Sequence, residues 1–266
     1  MNISNESWEA LIREVKEAGD YAAQKQKSVV RNFKPDGSVL TEIDTRLDAL
    51  LTAKIEELFP GSRIVSEENP SDLKEPADWT FTIDPIDGTD SFSQSMPGWC
   101  VAVGVLDREM QPAGAVIYAP VWGPEGGTLA VLEPGGDLYI NRRKYIPENN
   151  NGGEHPFQIM AGSKIHRHFE YRSFKWKIRT TGSGVLNIIG QVIHSAVGGA
   201  LLTPCYIWDM AAAHAVIKKA GFSLQYLSGK KIDYGYLAQR NKAEDYLVAG
   251  TETAINTIKK NFLLIK

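Results

Sequence analysis

Stretches of helical periodicity surround a block of strand-like segments, and this order restricts the folds open to the chain more than any other feature. Apolar residues recur every three or four positions over residues 8–22 and 47–58, which predicts two amphipathic helices. Gly19 falls on the first apolar stripe, where it either weakens the helix or allows a close backbone approach. Between residues 99 and 140, short runs rich in Val, Ile, Leu and Tyr predict strands, paired antiparallel around 99–132.

The second half of the chain repeats the alternation of helices and strands. Its apolar pattern predicts strands at 157–161, 175–181, 200–203, 222–227 and 245–249, and helices at 163–172, 185–197, 208–220 and from Glu252 onward. Alternation of this kind is typical of an α/β protein in which helices and sheets form layers. We therefore predict an α/β fold for the whole chain.

The segment PENNNGGEHP at 147–156 is the most loop-like stretch of the sequence, and we predict that it separates two lobes. An N-terminal α+β lobe then covers residues 1–146, and a C-terminal α/β lobe covers residues 157–266. A chain of 266 residues, of which 43% are hydrophobic, can bury an ample core without disulfide bonds.

Composition and charge exclude several classes of protein. The 29 Lys and Arg residues nearly balance the 32 Asp and Glu residues, so the chain has no electrostatic footprint for nucleic acid or an anionic membrane. No run approaches the roughly 18 apolar residues of a membrane helix. Two cysteines provide no disulfide framework, and the polar, acidic N-terminus lacks the features of a signal peptide. We predict a cytoplasmic protein without nucleic-acid or membrane partners.

The segment TIDPIDGTDSF at 82–92 carries the most chemistry. Asp84 ends an apolar strand, Asp87 follows in a turn, and these two carboxylates with the carbonyl of Ile86 suit a hard cation such as Mg²⁺. The N–H groups of Gly88 and Thr89 suit a phosphate if a helix begins there. A plain Asp-Gly turn is the alternative. The Asp spacing does not fit an aspartyl-nucleophile phosphatase, and an EF-hand would need more acidic residues.

Two other acidic segments could complete such a site. Glu67 ends a short predicted strand at 63–67 and Glu68 follows it, and Asp209 opens an apolar helix in WDMAA at 208–212. Taken alone, the glutamates are consistent with a solvated acidic turn, and Asp209 is consistent with a helix N-cap.

Taken together, these motifs resemble the inositol monophosphatase family of magnesium-dependent, lithium-sensitive phosphatases. The resemblance rests on Glu67-Glu68, DPIDGTDSF at 84–92 and WDMAA at 208–212 in this order, and LTEID at 40–44 also matches. It implies a layered α/β/α/β/α sandwich of the sugar-phosphatase type with the site between two lobes. It further implies a phosphoric monoester hydrolase acting on a small phosphorylated metabolite, and homodimerisation is common in such relatives.

The resemblance also assigns the metal ligands, for two or three Mg²⁺ ions. Glu67, Asp84 and the carbonyl of Ile86 would bind the first ion, and Asp84, Asp87 and Asp209 would bind the second. Glu67 would also serve a third, weaker ion. Physical chemistry agrees, because two carboxylates about 4 Å apart repel by about 4 kcal/mol at an effective dielectric constant of about 20. Such a cluster needs cations or protons.

The same resemblance assigns the reacting groups. Asp44 and Thr89 would orient and deprotonate the attacking water, and the amides of Gly88 and Thr89 would hold the phosphate. Because a threonine hydroxyl is not a strong base, Asp44 must accept the proton through it. We expect direct attack by water with no covalent phosphoenzyme, so a trapped phosphoprotein would contradict this scheme.

The substrate is less restricted by the sequence. Relatives that act on inositol phosphate tend to carry an acidic residue where this chain has Leu202. The segment AGSKIHRHFE at 161–170 resembles a stretch of relatives that hydrolyse 3′-phosphoadenosine 5′-phosphate, in which Ser163 and Lys164 would contact a second phosphate or a base. Ser183 could reach the same substrate. The alternatives are a helix capped by Ser163 and a plain turn serine at 183.

Several substrates therefore stay open. They are inositol monophosphate, 3′(2′),5′-bisphosphate nucleotides, histidinol phosphate and fructose 1,6-bisphosphate. A phosphate-binding protein that has kept the fold without turnover is the alternative from another class. Against it, every ligand position expected from the family carries a suitable residue.

Overall fold

The structure, a computed structural model, describes residues 3–69, 77–147 and 158–265. The helices are α1 Asn5–Lys25, α2 Glu42–Leu58, α3 Thr89–Ser93, α4 Gly184–Ile193, α5 Ala211–Lys219, α6 Tyr234–Leu237 and α7 Glu252–Asn261. The strands are β1 Asn32–Phe33, β2 Val39–Leu40, β3 Arg63–Ser66, β4 Thr80–Asp87, β5 Cys100–Leu106, β6 Pro112–Ala119, β7 Thr128–Leu132, β8 Leu138–Ile140, β9 Arg143–Lys144, β10 Gln158–Ala161, β11 Phe169–Glu170, β12 Lys177–Arg179, β13 Val197–Leu202, β14 Ser223–Tyr226, β15 Leu247–Gly250 and β16 Leu263–Leu264.

Two large sheets organise these elements. The first has seven strands in the order β3-β4-β5-β6-β7-β8-β9, and all its neighbours are antiparallel except β3 and β4. The second has five strands in the order β12-β10-β13-β15-β14, with β10 parallel to both of its neighbours. The antiparallel pairing predicted around 99–132 is confirmed by β5, β6 and β7.

Helices fill the spaces on and between the sheets. The apolar stripes of α1 and α2 pack on one face of the seven-stranded sheet, and α4 and α5 pack between its other face and the five-stranded sheet. Helix α7 covers the outer face of the five-stranded sheet. The layers therefore run helix, sheet, helix, sheet, helix, and the predicted layered α/β/α/β/α sandwich is confirmed.

Three predicted helices differ from the structure. Residues 163–172 form only a single 3₁₀ turn, Ile165–Arg167, followed by β11, because β11 pairs with the C-terminal strand β16. The helix predicted at 185–197 ends at Ile193, since β13 begins at Val197. The helix predicted at 208–220 begins only at Ala211, because the preceding residues form a turn.

The predicted lobe boundary at 147–156 lies almost entirely outside the described residues, and the division into two lobes stays a prediction. Cys100 and Cys205 are both free thiols. Among the helices of the described residues, none is long and apolar enough to cross a membrane.

Gly19 permits the close packing of α1 on the seven-stranded sheet. A Cβ at this position would lie 2.5 Å from Cδ1 of Tyr118 on β6. The Tyr118 ring is held in place because its hydroxyl donates a 2.6 Å hydrogen bond to Oδ1 of Asp20. The close approach foreseen at this glycine is therefore present, with a side chain as its partner.

We expect Gly19→Ala to destabilise the protein, although alanine favours helices by about 1 kcal/mol. Overpacking against a fixed ring typically costs about 1–3 kcal/mol. The measurement is the free energy of unfolding in urea, with the same substitution in a Tyr118→Ala background as the control. The substitution should be stabilising there, and equal effects in both backgrounds would contradict the account.

Candidate active site

Three carboxylates meet at the end of β4 beside the starts of α4 and α5. Asp84 and Asp87 come from the end of β4, and Asp209 comes from the turn before α5. One oxygen of each carboxylate lies within 4.8 Å of the others. Residues three apart in a regular strand point to opposite faces, but the β4–β5 register shifts between Asp84 and Asp87. This irregularity lets both side chains face the same cluster.

The beginning of α4 holds Asp87. The carboxylate accepts hydrogen bonds from the N–H groups of Gly184 at 3.2 Å and Val185 at 2.7 Å, and another from the Ser183 hydroxyl. The helix dipole favours a negative charge at this end. Burial raises the pKa of Asp87 to about 6, against the effect of these three donors.

Ser183 lies in this helix start and not on the surface of the cleft. It is the N-cap of α4, where its hydroxyl accepts the N–H of Leu186 at 2.9 Å, and it is fully buried. In the structure, the hydroxyl serves the start of the helix and Asp87. The substrate contact at Ser183 stays a prediction, beside the alternative of a plain turn serine.

Asp209 lies in a tight turn and is not the N-cap of α5. One of its oxygens accepts the N–H of Tyr206 at 2.6 Å, and the cap position is Met210. Trp208 is buried and stacks on Tyr206 with ring centroids 4.8 Å apart. These contacts direct the carboxylate of Asp209 toward Asp84 and Asp87.

Asp84 is the central carboxylate of the cluster, and its negative charge is the least offset by hydrogen-bond donors. Both its carboxylate oxygens are buried, and neither accepts a hydrogen bond from an N–H or hydroxyl group among the described residues; the polar group beside them is the carboxyl group of Glu67. Burial, followed by the charges of Glu67, Asp87 and Asp209, raises the pKa of Asp84 well above its ordinary value. Burying an unpaired carboxylate is costly, and a divalent cation with oxygen ligands would remove that cost. The residues therefore fit a Mg²⁺ site.

Glu67 follows β3 and has a basic partner that the sequence did not reveal. Nζ of Lys34, on the β1–β2 hairpin, lies 2.7 Å from Oε1 of Glu67 and 2.7 Å from Oε1 of Glu68. Burial raises the pKa of Glu67, while the charge of Lys34 lowers it. The sequence Pro35-Asp36-Gly37 is typical of a turn, but no sequence signal indicates which acidic groups a side chain beside this turn reaches.

Asp44 and Thr89 form the pair that the resemblance implies. The Thr89 hydroxyl lies 2.9 Å from Oδ1 of Asp44 and 2.9 Å from the carbonyl oxygen of Ile86. The other oxygen of Asp44 accepts bonds from the N–H and hydroxyl of Thr41, at 2.9 and 2.6 Å, in a capping box that begins α2. Burial raises the pKa of Asp44 to about 6, although these hydrogen bonds lower it.

Gly88 makes the turn that leads from Asp87 into α3. It has a φ of 94°, and a Cβ at this position would lie 2.7 Å from the carbonyl oxygen of Gly98. A larger residue is therefore excluded by both conformation and space. The turn places the Gly88 and Thr89 backbone beside the carboxylate cluster.

A cavity of about 520 Å³ opens above the cluster. Its walls include the predicted substrate residues Ser163, Lys164 and Leu202, of which Ser163 and Lys164 are exposed and Leu202 is buried. Ser163 and Lys164 lie just before the 3₁₀ turn that replaces the predicted helix. The structure thus brings together the predicted site residues around one cleft, with Ser183 buried behind its wall.

A family model for the inositol monophosphatase family matches residues 5–259. The chain belongs to this family. The expectation of a phosphatase of this kind is confirmed. A curated Thermotoga maritima relative, named fructose-1,6-bisphosphatase/inositol-1-monophosphatase, is 28% identical over 73% of each chain. The 3′(2′),5′-bisphosphate nucleotidase CysQ of Escherichia coli is 27% identical over 80% of this chain and 86% of its own.

Solved structures agree on the fold. A staphylococcal inositol monophosphatase complexed with products superposes with a TM-score of 0.78 at 17% identity, covering 97% of this chain and 95% of that one. An inositol monophosphatase/NADP phosphatase complexed with Mg²⁺ and phosphate also gives a TM-score of 0.78 at 17% identity, covering 97% of both chains.

The raised pKa values predict how stability depends on pH without metal. Because Asp44 and Asp87 have pKa values of about 6 in the folded chain, against 3.8 ordinarily, the folded state binds more protons between these values. Stability contributed by these groups therefore falls as pH rises through this interval. In EDTA, we expect the melting temperature to fall from pH 5 to pH 7.5, and Asp87→Asn should lessen the fall.

Added Mg²⁺ should reverse this effect. It should raise the melting temperature strongly at pH 7.5 and weakly at pH 5, because the ligands must be deprotonated to bind it. Thermal unfolding followed by circular dichroism measures both effects. Equal stabilisation by Mg²⁺ at the two pH values would contradict the assignment of the carboxylates as ligands.

Proposed function

We propose that the protein is a Mg²⁺-dependent phosphomonoesterase that hydrolyses a small phosphorylated metabolite by direct attack of water. The observation that carries the proposal is the buried carboxylate of Asp84, without an N–H or hydroxyl donor among the described residues, between Asp87 and Asp209 and beside the hydrogen-bonded pair of Thr89 and Asp44. The three aspartates and Thr89 line one cleft, and Asp44 is buried behind Thr89, from whose hydroxyl it accepts a hydrogen bond. The neighbour solved with Mg²⁺ and phosphate supports the choice of metal.

Five groups would hold two or three Mg²⁺ ions in this proposal. They are the carboxylates of Glu67, Asp84, Asp87 and Asp209 and the carbonyl oxygen of Ile86. Bound Mg²⁺ would supply the positive charge that balances the phosphate oxygens during the displacement. The donors on Asp87 and Asp209 keep one part of each carboxylate fixed, so these ligands lose little freedom when an ion binds.

Asp44 and Thr89 would activate the water. Thr41 fixes one oxygen of Asp44, which leaves the other to accept a hydrogen bond from the Thr89 hydroxyl. Thr89 can then accept a hydrogen bond from water while it donates to Asp44, and the proton passes to the carboxylate. In the metal-free chain, burial raises the pKa of Asp44 to about 6, which favours acceptance of a proton by this carboxylate.

The phosphate would lie against the start of α3. The amides of Gly88 and Thr89 adjoin the carboxylate cluster, and a helix beginning favours anions. The Gly98 carbonyl oxygen packs close to Gly88 and restricts the conformation of this turn.

The wall of the cleft would set the choice of substrate. Leu202 presents an apolar surface, and exposed Lys164 offers a positive charge for a second anionic group. These two residues favour a 3′(2′),5′-bisphosphate nucleotide as the second candidate beside an inositol-type monophosphate. The relatives named as nucleotidases support this candidate. Fructose 1,6-bisphosphate and histidinol phosphate complete the set to be tested.

We also propose a cytoplasmic homodimer inhibited by Li⁺, following the family. A staphylococcal inositol monophosphatase was solved as an inhibitory complex after soaking in LiCl. Light scattering, cell fractionation and inhibition by Li⁺ test these three points separately.

The test of the function is phosphate release from the four substrates, with and without Mg²⁺. We expect one strong Mg²⁺-dependent activity, which Asp84→Asn should abolish because the central ligand is lost. Asp44→Asn should lower kcat by about 10²–10⁴-fold, the typical contribution of a general base, while Mg²⁺ binding is retained. Asp137→Asn is the matched control, since Asp137 is paired with Lys144 and is not among the residues that line the cleft.

Two results would contradict the proposal. Full turnover by the Asp44→Asn variant would exclude the proposed activation of water. Absence of phosphate release across all four substrates, from folded protein that binds Mg²⁺, would favour a phosphate-binding protein without turnover.

A further inference from the structure

Arg240 contacts two segments that carry proposed metal ligands, the one around Glu67 and the turn that holds Asp209. Its guanidinium donates hydrogen bonds to the carbonyl oxygens of Ser66, Glu67 and Asn69, the last two at 2.9 and 3.3 Å. The same guanidinium lies 4.8 Å from the ring centroid of Trp208, the residue before Asp209. One side chain thus contacts the Glu67 segment and the Asp209 turn.

The hydrogen bonds from Arg240 add a second restraint on the backbone of Glu67. Its N–H donates to the carbonyl oxygen of Ile83 on β4 at 3.1 Å, which continues the parallel pairing of β3 with β4. Its own carbonyl oxygen accepts from Arg240. The sheet therefore holds one side of the residue, and Arg240 holds the other.

The loop that carries Arg240 is itself attached to the Asp209 turn. The N–H of Ala243 donates to the carbonyl oxygen of Cys205 at 2.8 Å. Arg240 adopts a left-handed φ of 63°, which is unfavourable for a residue with a side chain. A conformation of this kind persists only where surrounding contacts enforce it, and the three carbonyl bonds and the Trp208 ring supply such contacts.

We infer that Arg240 is a positioning residue of the Mg²⁺ site, which sets the carboxylate of Glu67 relative to that of Asp209. The inference rests on the proposed function. Arg240 is absent from the residues that line the described cleft, so its effect passes through Glu67 and Trp208. A planar guanidinium can bridge several carbonyl oxygens, whereas a lysine ammonium is a single point of charge. Loss of a group that orients a metal ligand typically weakens metal binding about 10–100-fold.

The positive charge of Arg240 acts in the opposite direction. It lies close enough to Asp48, Glu67 and Glu68 to interact with their charges, and a cation near a metal site repels Mg²⁺. Removing the charge alone would therefore tighten Mg²⁺ binding, while removing the carbonyl bonds would weaken it. Whether Mg²⁺ binds more tightly or more weakly to a variant therefore tells the effect of the charge from the effect of the carbonyl hydrogen bonds.

The experiment measures Mg²⁺ binding to metal-free protein by calorimetry for Arg240→Met, Arg240→Lys and Arg63→Met. Methionine keeps an apolar chain against Trp208 but has no donors, and lysine keeps the charge. Arg63 is the matched control, because it ties β3 to the same loop by donating to the carbonyl oxygen of Ala238 at 2.6 Å. Urea unfolding of each variant gives the loss of stability for comparison.

We expect Mg²⁺ to bind about tenfold more weakly to Arg240→Lys, which keeps the charge. The weakening should be smaller for Arg240→Met, where loss of the repulsion offsets part of the effect. Binding to Arg63→Met should be unchanged at a comparable loss of stability. At saturating Mg²⁺, kcat of the Arg240 variants should return to within about threefold of the original enzyme. Unchanged or tighter Mg²⁺ binding by Arg240→Lys would overturn the inference. If Arg240→Met does not fold, Arg240→Lys alone decides.

The inference and the proposed function fail in different ways. Mg²⁺ binding and turnover by the original protein, with unaltered binding by the Arg240 variants, would overturn the inference alone. Mg²⁺ binding without turnover would overturn the function alone. A protein that binds no Mg²⁺ would overturn both.

Discussion

Mutual repulsion among buried carboxylates is the constraint on which the rest of this structure depends. Asp84 accepts no hydrogen bond from an N–H or hydroxyl group among the described residues, and the charges of Glu67, Asp87 and Asp209 surround it. Such a group raises the free energy of the folded chain unless protons or cations offset its charge. The fold compensates the outer members one by one, with the start of α4 at Asp87, a backbone amide at Asp209 and Lys34 at Glu67. The central carboxylate remains for the metal.

The layered architecture tolerates this concentration of charge because most of its stability comes from apolar layers that do not include the cluster. The cluster lies at the edge of the apolar layers, where β4 supplies two carboxylates through its irregular pairing and the turn before α5 supplies the third. The start of α2 supplies Asp44 beside them, through a capping box that serves the helix and fixes the carboxylate. The reacting groups are thus oriented by ordinary local features of the fold. These are a helix cap, a helix start and a strand irregularity. Site and fold are coupled through the same hydrogen bonds.

The predictable part of this molecule is the part that depends on neighbours in the sequence. The apolar periods predict α1, α2 and the antiparallel strands, and the short motifs that hold Asp84, Asp87 and Asp209 identify the family. The helix predicted at 163–172 failed because pairing of β11 with the C-terminal strand, nearly a hundred residues away, overrode local propensity. The roles of Lys34 and Arg240 could not be predicted from the sequence for the same reason. Each acts on the Glu67 segment across a long stretch of chain, and nothing local marks its target.

The most direct test of this account is the location of bound metal in crystals grown with Mn²⁺, read from its anomalous scattering. Mn²⁺ takes the same oxygen ligands as Mg²⁺ and is visible by this method. The account requires an ion in contact with Asp84, Asp87 and Asp209, and Asp84→Asn should remove its peak. Peaks confined to surface carboxylates, with the three aspartates unliganded in crystals grown above pH 7, would contradict the central claim that buried negative charge is held for a metal.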